Sequence, residues 1–198
     1  MYPDSLKNLI DCLKCLPGIG DKTAERLAFS MMNFDKDKLT FFANSLLDVR
    51  DNIRRCSICN NITDKEVCSI CSNNERKKDV VFVVEKPKDV TLFEKINVYK
   101  GVYHVLDGLI SPLEGINPDD INLKSLIEKI DNSEIKEVIL ALKPSIEGET
   151  TMQYIRRILE KKNVKITKIA TGIPIGTDME YIDAMTLEMS LEERKEFS

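Results

Sequence analysis

The sequence predicts an α/β protein built from a helical N-terminal module, a four-cysteine metal ribbon and a mostly parallel α/β domain with a C-terminal helix. Three observations support this. Apolar residues recur at helical spacing before residue 55, four cysteines cluster at 56–71, and short apolar runs alternate with helical patterns after residue 78. The 198 residues are 42% hydrophobic and 31% charged, which is ordinary for a globular chain.

The N-terminal module is predicted to contain three helices, over 4–15, from about Asp21, and over 36–54. In the first, Leu6, Leu9 and Leu13 follow helical spacing. The break between the first two helices falls at Pro17–Gly20, since proline and glycine interrupt helices.

The four cysteines predict a structural zinc site, with one zinc ion per chain. They are spaced as two Cys-x-x-Cys pairs, formed by Cys56, Cys59, Cys68 and Cys71. Four thiolates complete the tetrahedral shell of zinc and leave no position for substrate. Two disulfides or free core thiols are the alternative. Cys12 and Cys15 form a third such pair, with Cys12 interpreted as a packing residue and Cys15 as incidental.

After a polar link at 72–78, four buried strands and four helices are predicted. The strands fall at 80–84, 102–106, 138–142 and 164–170, and the helices at 88–96, 122–131, 150–162 and 183–196. Helices between apolar strands are typical of a mostly parallel sheet. His104, the only histidine, lies in the second strand without a serine or cysteine partner, and is interpreted as structural.

The formal net charge of −4 is unevenly distributed. Residues 1–78 carry 13 basic and 11 acidic side chains, while residues 79–198 carry 16 and 22. A phosphate-binding surface is therefore expected in the first third. The chain has no apolar run of membrane-spanning length and no signal-peptide pattern, so we expect a reducing cytoplasmic location.

The segment Leu16-Pro17-Gly18-Ile19-Gly20 between two helices resembles the helix-hairpin-helix DNA-binding motif. Gly18 and Gly20 permit a turn with positive φ and a close approach of phosphate to the amides that open the next helix. Lys22 and Arg26 lie one turn apart there and are expected to contact DNA without reading its sequence. An ordinary helical hairpin is the alternative.

The α/β half resembles the Toprim domain of topoisomerases, primases and nucleases. Glu85 ends the first strand, at the edge where such sheets place their sites. In catalytic relatives this glutamate and an Asp-x-Asp pair hold Mg²⁺, but Lys143 and Ser145 stand where that pair is expected. Because Mg²⁺ requires oxygen ligands, we expect no metal-dependent catalysis and no enzyme activity. The remaining carboxylates are expected to form an acidic face for a partner or DNA: Glu85, Asp89, Glu147 and Glu149.

In their order along the chain, these motifs resemble the RecR family of bacterial recombination mediators. The matching stretches are Leu16–Gly20 with Lys22–Phe29, Cys56–Cys71, Val83–Asp89, Gly101–Leu106, Ser111–Gly115, Glu147–Thr151 and Gly176–Tyr181.

The resemblance implies four regions. These are a helix-hairpin-helix module at 1–55, a zinc finger at 56–71, a Toprim domain at 79–175 and a C-terminal segment at 176–198. It also implies a ring-shaped homotetramer around single- or double-stranded DNA, associated with the nucleoid. Such a ring would act with RecO, and with RecF in many bacteria, to load RecA on single strands coated by single-strand-binding protein. A Toprim nuclease or primase and a scaffold that binds only protein are the competing hypotheses.

Overall fold

A computed structural model describes residues 2–192, 194 and 196. The chain divides into two compact units, the first ending at Ile53 and the second beginning at Arg54. The first contains only helices, and the second contains the cysteine ribbon and the sheet.

The first unit is built from α1 (Asp4–Lys14), α2 (Asp21–Met31) and α3 (Lys36–Asn52), which confirms the three predicted helices. Its core lies between α1 and α2 and consists of Leu6, Ile10, Leu13, Ala24 and Ala28. The prediction that Cys12 packs in the core is wrong, because its side chain is exposed. Cys12 is next to Leu13 in sequence, and successive helical residues point about 100° apart.

The longest helix, α3, has no buried residue. Asp35 caps it by accepting a hydrogen bond from the Lys38 amide at 2.7 Å. Seven large apolar side chains on α3 and at its end are exposed: Leu39, Phe41, Phe42, Leu46, Leu47, Val49 and Ile53. The apolar pattern of this helix is therefore not explained by burial within the first unit.

The second unit begins with a small ribbon. The two-residue strands β1 (Arg54–Arg55) and β2 (Ile62–Thr63) pair antiparallel, and the short helix α4 (Ser69–Ser72) follows. This arrangement folds the two Cys-x-x-Cys pairs back on one another.

The predicted parallel sheet is confirmed. Its strands are β3 (Lys77–Val84), β4 (Gly101–Val105), β5 (Glu137–Ala141) and β6 (Lys165–Lys168), in the order β4-β3-β5-β6 with all pairs parallel. The helices between them are α5 (Pro87–Ile96), α6 (Lys124–Asp131) and α7 (Ile146–Leu159). Central strand β3 carries fully buried Val81 and Val83, because parallel strands are covered on both faces.

The last helix, α8, spans Ala184–Glu192. It corresponds to the helix predicted over 183–196, of which residues 193 and 195 lie outside the described residues. Among the described residues, no helix combines the length and apolar character that a membrane crossing requires.

Candidate zinc centre and nucleic-acid interface

The four ribbon cysteines converge on one point. Their Sγ atoms all lie within 4.8 Å of one another, and all four side chains are buried. The Sγ atoms of Cys59 and Cys68 are 3.6 Å apart. A tetrahedral shell with Zn–S bonds of about 2.3 Å requires sulfurs about 3.8 Å apart, so the cluster fits the ion.

Backbone amides support the sulfurs as they do in a metal knuckle. The Cys68 amide donates to Cys56 Sγ at 3.3 Å, and the Cys71 amide donates to Cys68 Sγ at 3.5 Å. Asn60 adopts φ +60°, which reverses the chain after Cys59. Hydrogen bonds from neighbouring thiols, that of Cys59 above all, lower the pKa of Cys68 and favour its thiolate.

The ribbon is docked along the free edge of β4. The Val105 amide donates to the Cys59 carbonyl at 2.9 Å, and the Asn60 side-chain amide donates to the Val105 carbonyl at 3.1 Å. Arg55 adds an ion pair with Asp107 at 2.6 Å. The ribbon thus satisfies backbone groups that an edge strand would otherwise leave unpaired.

In the helix-hairpin-helix turn one of the two glycines has positive φ, whereas Gly20 is extended with φ −90°. Gly18 has φ +81°, and the Ile19 amide closes the turn on the Leu16 carbonyl at 3.1 Å. Gly20 precedes α2 and contributes no capping side chain, so the first amides of that helix remain available to a ligand. Lys22 and Arg26 are both exposed on α2.

Lys14 completes this turn, and sequence analysis did not single it out. Its Nζ lies 2.6 Å from the Asp21 carboxylate at the start of α2. This contact raises the pKa of Lys14 and lowers the pKa of Asp21. The ion pair neutralises the one acidic group at the helix end where a phosphate would approach. The sequence did contain a signal for this ion pair, since a lysine ends one helix and an aspartate begins the next.

At the carboxyl ends of the strands, one cleft brings together Glu85, Glu147, Lys143 and Ser145. The position of Glu147 depends on Gly148, where a Cβ would lie 1.9 Å from the Lys143 carbonyl. The Glu147 amide and the Ser145 hydroxyl lower the pKa of Glu147, so it is a carboxylate. Lys86 pairs with Glu85 at 3.1 Å, which places a side-chain cation beside this carboxylate.

The other two predicted acidic residues lie elsewhere. Asp89 accepts a hydrogen bond from the Lys86 amide at 2.9 Å as part of the α5 cap. Glu149 lines a separate groove between α7 and β6 and lies 3.6 Å from Lys168. Glu85 and Glu147 therefore line one cleft, whereas Asp89 caps α5 beside it through Lys86 and Glu149 lines a different groove.

His104 is enclosed within the second unit. Its side chain is fully buried, with Nε2 2.8 Å from the Asn122 carbonyl. Burial lowers the pKa of His104 to about 4, so the ring is neutral near pH 7.

Comparisons with known proteins cover nearly the whole chain. Family models match for the RecR helix-hairpin-helix (residues 6–50), the RecR four-cysteine zinc finger domain (53–73), the Toprim domain (79–170) and the RecR C-terminal region (172–195). The chain is 46% identical over 195 residues to the "Recombination protein RecR" of Natranaerobius thermophilus, covering 98% of each chain. The chain belongs to the RecR family.

The family match and the geometry of the four cysteines both indicate zinc. The ribbon corresponds to the four-cysteine zinc finger of the RecR family, and its buried sulfurs have the spacing that zinc needs. The zinc is structural, because four thiolates fill its coordination shell. In this RecR-family chain the ion would join both knuckles of the ribbon, and through Cys59 it would fix the ribbon to β4.

Proposed function

We propose that this chain is a DNA-binding recombination mediator that acts in DNA repair without catalysing a reaction. It assembles as a homo-oligomeric ring, a tetramer, around DNA in the cytoplasm at the nucleoid. With RecO, and with RecF where present, it loads RecA on single strands coated by single-strand-binding protein. The name "Recombination protein RecR" of its relative supports a role in recombination. The surfaces described above support DNA binding, assembly and partner contact.

The observation that carries the proposal is the surface of the helix-hairpin-helix turn. Exposed Lys22 and Arg26 follow a glycine turn whose helix amides are uncapped, and Lys14 neutralises the nearby Asp21. These positive groups complement the negative charge of a phosphate strand, and none of them reads the edges of the bases. Binding through them is independent of DNA sequence and sensitive to salt.

Exposed α3 supports assembly. A chain that acts alone in water rarely leaves so many large apolar side chains uncovered on one helix, Phe41 being 75% exposed. A second copy of the chain would cover this helix with matching apolar surface. Several copies also multiply the few cations that each hairpin offers to DNA.

The cleft with Glu85 and Glu147 supports a contact with a basic partner surface, such as one on RecO. Its carboxylates lie at the sheet edge where α/β folds place their sites. The Lys86 ammonium beside Glu85 and the Lys143 side chain in the cleft oppose a Mg²⁺ ion there.

DNA binding is tested by the double variant Lys22→Ala/Arg26→Ala, with Lys7→Ala/Lys36→Ala as a matched control that removes two other positive charges of the same unit. Affinity for single strands of several sequences is measured by fluorescence anisotropy across a salt series. The first variant should lose affinity equally for all sequences, and its salt slope should fall by about 1.4 at ~0.7 per phosphate contact. Equal affinities of the first variant and the unaltered protein would refute the role of α2.

The alternative, a Toprim nuclease or primase, predicts a different result. Supercoiled DNA incubated with the purified protein and Mg²⁺ should remain intact under our proposal. Nicking that requires Mg²⁺ and disappears in Glu85→Ala would establish the enzyme and remove the non-catalytic part of the proposal. The DNA-binding result would be unaffected by that outcome.

A further inference from the structure

Lys129 lies beside the cysteine ribbon, although it is far from the ribbon in sequence. It projects from α6, and its Nζ donates to the Tyr103 carbonyl on β4 at 3.1 Å. It also lines a cavity together with Cys71 and Ile58 of the ribbon. A long cationic side chain is therefore held where the ribbon meets the sheet.

The hydrogen bonds along β4 place Lys129 close to Cys59. Tyr103 and Val105 are two residues apart, so their backbone polar groups face the same side of the strand. The Val105 amide on this edge is bound by the Cys59 carbonyl at 2.9 Å, and the Tyr103 carbonyl is bound by Lys129. The ammonium group and a zinc-ligating residue thus occupy consecutive positions on one strand edge.

The charge of Lys129 has no carboxylate partner within ion-pairing distance among the described residues. Asp79, which lines the same cavity, is bound to Lys136 at 3.2 Å, and Glu134 at its rim is exposed. Burial lowers the pKa of Lys129, and the negative charge of the nearby cysteines opposes this shift. A partly buried ammonium group needs an opposing charge to offset its lost hydration.

The zinc centre carries a net negative charge that a nearby cation can balance. Four thiolates and one Zn²⁺ ion carry a net charge of −2, and the ribbon buries all four sulfurs. Amide hydrogen bonds to Cys56 and Cys68 offset part of this charge. A fixed cation nearby would favour the thiolate form and hold the ion more tightly.

We propose that Lys129 is the counter-ion of the four-thiolate zinc centre, a positioning residue that stabilises metal binding from the sheet side of the ribbon. The proposal assigns α6, outside the ribbon, a part in retaining zinc. It also assigns the ribbon a part in the Toprim unit, because the zinc–thiolate charge compensates a lysine that the sheet partly buries.

The test compares zinc retention of the full-length protein with that of Lys129→Met, which keeps much of the side-chain volume and removes the charge. Zinc is transferred to a chromogenic chelator, and the affinity of the protein for zinc is measured by this competition. Changes around metal ligands typically weaken binding about 10–100-fold, and we expect a loss in this range. Lys129→Arg should retain most of the affinity, and Lys161→Met, an exposed surface control away from this cavity, should match the unaltered protein.

A double-mutant cycle separates charge from packing. Cys71→His replaces a thiolate with a neutral ligand and reduces the net charge of the site from −2 to −1. Lys129→Met should then weaken zinc binding by a smaller factor than it does in the four-thiolate protein. Unchanged zinc affinity in Lys129→Met, or an equal loss in both backgrounds, would overturn the counter-ion role.

Discussion

The two units of this chain differ in how their apolar side chains are covered. In the second unit, β3 is buried on both faces and side chains such as Leu126 and Ile155 are fully enclosed. In the first unit, five residues of α1 and α2 form the core, while α3 buries none. The second unit encloses its own apolar core, whereas the first leaves the apolar side chains of α3 exposed.

The ribbon and the N-terminal helices are both small, and they differ in what stabilises them. The ribbon has almost no apolar core beyond its cysteines, and a metal ion supplies the missing stability. The N-terminal helices contain no comparable metal cluster among the described residues, and self-association is the route to burial that we propose for them. Zinc loss and dilution should therefore affect different units.

The largest effect should follow removal of one zinc ligand by Cys56→Ser. Apparent zinc-binding energies of such modules are about 10–16 kcal/mol, so the variant should lose the ion and unfold the ribbon. Hydrogen exchange should increase most along β4, to which the ribbon is docked. Hydrogen exchange followed by mass spectrometry, with elemental analysis for zinc, measures both effects.

Cys12→Ser is the matched control, because Cys12 is an exposed thiol. It should retain one zinc ion and the exchange pattern of the unaltered protein. One equivalent of zinc in Cys56→Ser, with unchanged melting, would contradict the four-thiolate assignment.

A smaller effect on stability should distinguish a buried leucine from an exposed one. Leu126→Ala removes a fully buried side chain of the second unit and should cost about 2–5 kcal/mol of unfolding free energy. Leu46→Ala, at a position 61% exposed on α3, should change monomer stability by no more than about 0.5 kcal/mol while weakening self-association. Denaturant unfolding and native mass measurement distinguish the two. A similar loss of monomer stability at both positions would show that α3 is packed within its own chain.

The last of these effects is a loss of stability in acid. The folded-state pKa of His104 is about 4, against 6.5 in the unfolded chain. The unfolded state therefore takes up the proton first as pH falls, and the folded state loses about 3 kcal/mol between pH 6.5 and pH 4. His104→Gln should have a flatter stability curve in this window, whatever its stability at pH 7. Parallel curves for both proteins would contradict the burial of a neutral ring.

Local sequence signals predicted most of the elements. Cysteine spacing identified the zinc ligands, and the apolar runs around Val81 and Leu140 identified strands, because each signal lies within a few neighbouring residues. Gly18 likewise indicated its own positive φ.

Contacts between distant segments could not be predicted in the same way. The docking of Cys59 on Val105 and the position of Lys129 depend on strand order, which no local pattern encodes. The pattern of α3 indicated an apolar face but not what would cover it. The four acidic residues were predicted to form one face, but the sequence did not show that Asp89 caps a helix. Periodicity gives the orientation of side chains along one element and leaves the neighbouring element undetermined.

The docked ribbon has a consequence for newly made chains. An uncovered strand edge is a template on which other chains can add strands, and the ribbon covers the β4 edge only when its knuckles are closed. A chain that has not yet acquired zinc presents this edge to every neighbour emerging from the ribosome. We therefore expect a shortage of zinc during synthesis to increase aggregation of this protein.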